Sequence, residues 1–80
     1  MAVIKYYGDL RELIGKEDDE LPADSLSALL ALIGKLYGPK AKKAAKSSLI
    51  VADTEKVLAI RKVKLAENSE VGFFPMCGGG

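Results

Sequence analysis

The hydrophobic positions of this chain change period several times, and each change marks an element. Val3-Ile4-Lys5-Tyr6-Tyr7 is dense in β-branched and aromatic residues and stops at Gly8-Asp9, which predicts a first strand. Asp9 is placed to cap a short helix in which Leu10, Leu13 and Ile14 fall at i, i+3 and i+4 while Arg11 and Glu12 point away, and Gly15 supplies the stop. Glu17 to Leu21 reads as a polar edge strand ending at Pro22. The clearest pattern follows, a helix of about four turns opened by Asp24 or Ser25 and closed after Tyr37 by Gly38-Pro39. Leu26, Leu29, Leu30, Ile33 and Tyr37 commit one face of it to a core, widened by Leu32 and Leu36.

The second half is more broken. Ala41 to Ser48 mixes alanines with Lys40, Lys42, Lys43 and Lys46, which predicts a ragged helical turn and a basic patch, by default solvated surface and otherwise a feature that meets an acidic partner protein. Leu49 to Ala52 and Val57 to Ile60 flank the polar Asp53-Thr54-Glu55-Lys56, the pattern of a hairpin. Arg61 to Ser69 is a polar connection with Leu65 as its anchoring apolar residue, and Glu70 to Pro75 is a last strand ended by proline. Phe73 and Phe74 alternate across that strand, so one enters the core and the other is left for a partner. Each element has a single apolar side to bury, so the expected class is α+β, a mixed sheet with one long helix packed on one face. Residues 1–75 make that domain, and residues 76–80 a flexible glycine-rich tail.

Composition narrows the function classes. A chain of 80 residues buries only about 60% of the surface that its unfolded form exposes, enough for one core. Twelve basic against eleven acidic residues give a net charge of +1, too weak a field for a typical nucleic-acid binder. The longest apolar run, Leu26 to Gly34, falls far short of the roughly 20 residues of a membrane span. Met1-Ala2-Val3-Ile4-Lys5 lacks the form of a secretory signal and Cys77 has no second cysteine to pair with, so a cytoplasmic protein is expected. With no histidine and one cysteine, no metal site is expected. The acidic run Glu17 to Glu20 lies in a polar connection and does not form a paired acid and base. The side chains offer no catalytic constellation.

The tail does offer chemistry. After Pro75 the sequence runs Met76-Cys77-Gly78-Gly79-Gly80, and three terminal glycines arise by chance about once in 3,000 chains at average usage. A linker appended to a plain interaction domain is the bland explanation. Glycine has no Cβ, so such a tail can lie extended in a tunnel barely wider than a backbone, with its terminal carboxylate as the deliverable group. A carboxylate is a poor electrophile, which implies a partner that spends ATP to form an acyl-adenylate.

Two stretches carry a resemblance. The ending Phe73-Phe74-Pro75-Met76-Cys77-Gly78-Gly79-Gly80 resembles the Phe-Phe-Pro-Pro-x-x-Gly-Gly ending of the molybdopterin synthase small subunit family. The opening Lys5 to Gly15 is similar to that family's strand followed by a Leu-Arg-Glu-Leu-x-Gly helix. Met76 stands where the family has a second proline, and Asn68-Ser69 where it has an Asp-Gly turn. The resemblance implies a β-grasp, ubiquitin-like fold and a small non-catalytic subunit of a sulfurtransferase. It implies further that Gly80, with Gly79 behind it, is adenylated by an E1-like enzyme using ATP and loaded with sulfur by a donor system as a thiocarboxylate. The large subunit would then receive the tail, through Phe73, Phe74, Pro75, Met76, Cys77 and Gly78, and the sulfur would pass to a pyranopterin precursor in molybdenum cofactor synthesis. No cofactor of its own, no metal, no nucleic acid and no membrane enter that scheme. Thiamine-pathway sulfur carriers share the Gly-Gly end, and archaeal ubiquitin-like modifiers, which are joined to lysines through the same terminus, are similar almost equally.

Overall fold

The computed structural model describes residues 1–75, which form a five-stranded mixed sheet from β1 (Ala2–Tyr6), β2 (Asp18–Leu21), β3 (Leu49–Ala52), β4 (Glu55–Lys56) and β5 (Glu70–Phe74). The spatial order is β2-β1-β5-β3-β4. The first and last strands are the parallel centre, in register Ile4 with Val71 and Tyr6 with Phe73, and β2 and β3 flank them antiparallel. Alternation sends Ala2, Ile4, Tyr6, Ile50, Val71 and Phe73 to one face, where all are buried. Against that face lies α2 (Leu26–Tyr37), with Leu26, Leu29, Leu30 and Ile33 turned inward. Ser25 caps it, its Oγ accepting the Ala28 N–H at 3.1 Å.

Besides the long α2 the fold has two further helices, α1 (Gly8–Ile14), where the short helix was expected, and α3 (Pro39–Ser47). The stretch expected to be a ragged turn is the regular nine-residue α3. Pro39 sits at its first turn, where a missing N–H costs nothing. Ala41 and Ala45, four apart, are fully buried, and small side chains there let α3 lie close to α2. Gly34 completes the fit, since a Cβ on it would come within 2.9 Å of Lys42 Cδ.

Smaller expectations also change. Asp9 is not the cap of α1; the cap position is Tyr7, and Asp9 lies in the first turn. Gly15 does close α1, in the left-handed conformation at φ 88°, its N–H donating to Arg11 O. Leu13 and Leu36, assigned to buried faces, are exposed, because the helices bury narrower stripes, Leu10 in α1 and Leu26, Leu29, Leu30 and Ile33 in α2. The hairpin is tighter than expected. Asp53 and Thr54 alone form its loop, both with positive φ (48° and 69°), the backbone that two-residue hairpins require, while Glu55 and Lys56 are strand. Val57 to Ile60 is not a strand. After Val57 N–H reaches Ile50 O the chain leaves the sheet edge, makes a 3₁₀ turn at Ile60–Lys62, and spends its next backbone bonds on the start of α2, Leu26 N–H to Val63 O and Leu65 N–H to Asp24 O. Those bonds seat Leu65 in the core, as the sequence suggested.

Candidate functional site

The elements converge at one end of the sheet. Leu49 opens β3 opposite Phe74, and Tyr7 follows β1 beside it, its N–H donating to Phe73 O at 3.2 Å. Pro75 therefore leaves the sheet from its middle, between β1 and β3. Its ring packs against Gly8, with Cδ and Cγ 3.6 Å from where a Cβ would stand.

Register assigns the two phenylalanines. Phe73 is fully buried and stacks near Tyr6 at 6.3 Å between centroids. Phe74 points to the helix-free face and is 37% exposed. There it stacks on Tyr7 at 4.3 Å with 7° between the planes. Gly72 makes room for that pair: a Cβ on it would sit 3.0 Å from Phe74 Cε1 and 3.6 Å from Tyr7 Cε2. A glycine in a strand covered by an aromatic ring marks a close approach rather than a weak point. Lys5, Val51 and Thr54 border the same shallow hollow of about 160 Å³. The result is an apolar stripe across the open face, Tyr7, Phe74 and Val51, rimmed by polar groups, which suits a small hot-spot contact.

Sequence reasoning singled out Phe73, Phe74 and Pro75 and missed Tyr7 and Gly72. The signals were present: Tyr7 alternates with buried Tyr6, and Gly72 precedes Phe74 by two, on the same face. Met76, Cys77, Gly78, Gly79 and Gly80, the remaining expected site residues, lie outside the described residues.

A second polar cluster sits at the β2 edge. Asp19 Oδ2 accepts from Tyr37 Oη at 2.5 Å and from Tyr6 Oη at 3.3 Å, and Oδ1 accepts from Glu20 N–H at 3.1 Å, with Lys16 Nζ at 3.5 Å. Burial pushes the Asp19 carboxyl up, but the Tyr37 hydroxyl, the Lys16 charge and the Glu20 N–H outweigh it and hold the group below its usual range. Burial, and then the Asp19 charge and hydrogen bond, push Tyr6 and Tyr37 up. A carboxylate kept ionised beside phenols kept neutral has no proton to exchange near neutral pH, so this cluster is a structural tie. Among the described residues no group of three metal-ligating side chains comes together, and no helix is long and apolar enough to cross a membrane.

Comparison with known proteins adds the fold. No family model and no curated protein sequence matches the chain. Solved structures do match over nearly its whole length. Small archaeal modifier protein 1 from Methanosarcina acetivorans superposes with a TM-score of 0.83 at 20% identity, over 99% of this chain and 95% of that one. Subunit 1 or 2 of the molybdopterin-converting factor complex from Helicobacter pylori gives 0.72 at 18% identity, over 99% and 97%. A putative molybdopterin-converting factor subunit 1 from Pyrococcus furiosus gives 0.68 at 21% identity, over 92% and 94%. The chain has the ubiquitin-like β-grasp fold. The resemblance in its two end segments implied that fold, and the β-grasp sheet explains why both segments count: they are its two central strands.

Proposed function

We propose that this β-grasp protein is a sulfur carrier that works through the carboxyl group of Gly80. In this reading an adenylating enzyme joins that carboxylate to AMP at the expense of ATP, a sulfur donor displaces AMP to leave a thiocarboxylate, and the sulfur is delivered to a pyranopterin precursor inside molybdopterin synthase. The protein contributes reach and presentation, and its partners contribute the catalysis. The observation that carries the proposal is the departure of Pro75 from the middle of the sheet beside the exposed Tyr7 and Phe74 rings, with three glycines closing the sequence five residues on. A partner can grip the apolar stripe and draw the slim tail into its own active site. The likeness to a molybdopterin-converting factor solved as a complex of subunits 1 and 2 supports a large-subunit partner.

Intact mass of the protein from its own cells tests the reading, since a carrier contains a species with one oxygen replaced by sulfur. The tail variants extend the test. One residue added after Gly80 shifts the carboxylate by about 3.5 Å, where a misplacement of about 1 Å can already cost a hundredfold. Extension, deletion of Gly80 and Gly79→Val should each abolish ATP-dependent adenylation by the cognate enzyme. Parental rates in all three would sink the proposal. A second reading is supported by the likeness to an archaeal modifier protein: the same activated carboxyl is passed to lysines of other proteins, and lysine-linked conjugates in cell extract distinguish it.

A further inference from the structure

α3 carries Lys40, Lys42, Lys43 and Lys46 and no acidic residue. Its Ala41 and Ala45 are buried, so all four ammonium groups face outward, and none lies within ion-pair distance of a carboxylate among the described residues. In a chain of net charge +1 this is a strong local concentration of cation. Its position is what matters. α3 passes through Ser48 straight into β3, whose Leu49 pairs with Phe74, so the C-terminal end of α3 lies at the sheet end from which Pro75 departs. A hollow of about 270 Å³ opens there, lined by Lys46, Ser48, Leu49, Lys56, Leu58 and Ile60. Its floor is apolar, two ammonium groups stand around it, and Leu58 at its wall is 89% exposed.

We propose that α3 and this hollow dock an acidic segment of the adenylating enzyme, one carrying an apolar side chain flanked by carboxylates. The inference rests on the tail reading above and names the chemistry of the partner surface. The apolar side chain fills the hollow beside Leu58, the carboxylates meet Lys46 and Lys56, and the remaining lysines steer the approach. Lysines on a solvated helix act over distance and mainly raise the association rate. A bilayer is a poorer occupant, because the apolar residues of α3 are alanines turned to the core and a single exposed leucine, Leu58, is not the continuous apolar face that insertion needs. Nucleic acid is poorer too, since the surface has neither the arginine forks that grip phosphate nor an aromatic platform for bases.

The test is stopped-flow association of the full chain with its adenylating enzyme from about 0.05 to about 0.5 M salt, a range over which the Debye length shrinks severalfold. The parent rate should fall about tenfold or more with salt. The variant Lys40→Glu/Lys43→Glu/Lys46→Glu should associate at least about tenfold more slowly at low salt and lose most of the salt dependence, while glutamine at the same positions gives an intermediate rate. Leu58→Ser should leave association intact and speed dissociation. Circular dichroism verifies that each variant folds. If the reversed variant associates like the parent at every salt concentration while its tail is still adenylated, the docking surface is wrong and the carrier reading stands. If the parent itself is never adenylated, the carrier reading falls and the inference with it. Binding of a short RNA, or of vesicles containing phosphatidylserine, that the reversal removes while enzyme association is unchanged would assign the lysines to another partner and overturn the proposal.

Discussion

Phe73 and Phe74 are identical side chains on adjacent residues, and the fold gives them opposite work. Alternation along a strand says that they part but not which goes inward; that depends on the pairing of Phe73 with Ile50 and Tyr6, which is a property of the assembled sheet. Substitution should separate the two roles. Phe73→Ala removes a fully buried ring and should cost about 3–5 kcal/mol in urea denaturation, a large share of the stability of a domain this small. Phe74→Ala should leave the urea midpoint close to that of the parent and weaken the proposed complex with a large subunit, measured by calorimetry, by about 2 kcal/mol or more. Equal loss of stability in the two variants would refute the division. Tyr7 and Gly72 escaped the sequence reading for a related reason: their value lies in a cross-strand stack that no single segment contains.

The helices and strands were legible in proportion to their amphipathic signal. The Leu and Ile stripe and Ser25 cap identify α2 almost to the residue, whereas α3 was underrated because its buried face is only two alanines. Alanine signals close approach, not hydrophobic mass. Gly34→Leu should therefore push α3 off α2, with a loss of about 1–3 kcal/mol seen as a lower melting temperature and reduced ellipticity. The expected strand after the hairpin failed because its apolar residues read as strand-like while the carbonyls of Ala59 and Ile60 are taken by the 3₁₀ turn, accepting from Lys62 N–H and Val63 N–H. β2, by contrast, is held to its neighbours by the Asp19 cluster, and this tie should be visible in pH. Asp19 has its folded-state pKa lowered, so its contribution is present above the ordinary carboxylate range and is lost as pH falls through the folded value. Tyr6 and Tyr37 have theirs raised, so their contribution is complete below about pH 10, the ordinary tyrosine value, and fades as pH climbs beyond it. Urea midpoints across the acid range should fall less steeply in Asp19→Asn than in the parent, from a lower plateau at neutral pH, and Tyr37→Phe should flatten the alkaline limb.

At the scale of the whole molecule, periodicity supplied the elements and their class but not their neighbours. The β-grasp fold was implied by the likeness of two end segments to a known family, and in the structure those segments lie side by side as the first and last strands. The helix covering one face was expected from the single apolar side of each element and the short α1 from the spacing of Leu10, Leu13 and Ile14, whereas α3 was expected only as a ragged turn.

The parallel centre also determines how the domain answers a pull. Met1 and Pro75 stand at opposite ends of neighbouring parallel strands, so tension applied between them slides β1 along β5 and loads their hydrogen bonds together. Leu49 and Pro75 stand at the same end of an antiparallel pair, and tension there peels β3 from β5 one bond at a time. Single-molecule stretching through the first pair of attachment points should meet a distinctly higher rupture force than through the second. A partner that hauls on the tail against a held β3 therefore finds the sheet's weak direction, and one that hauls against β1 finds its strong one.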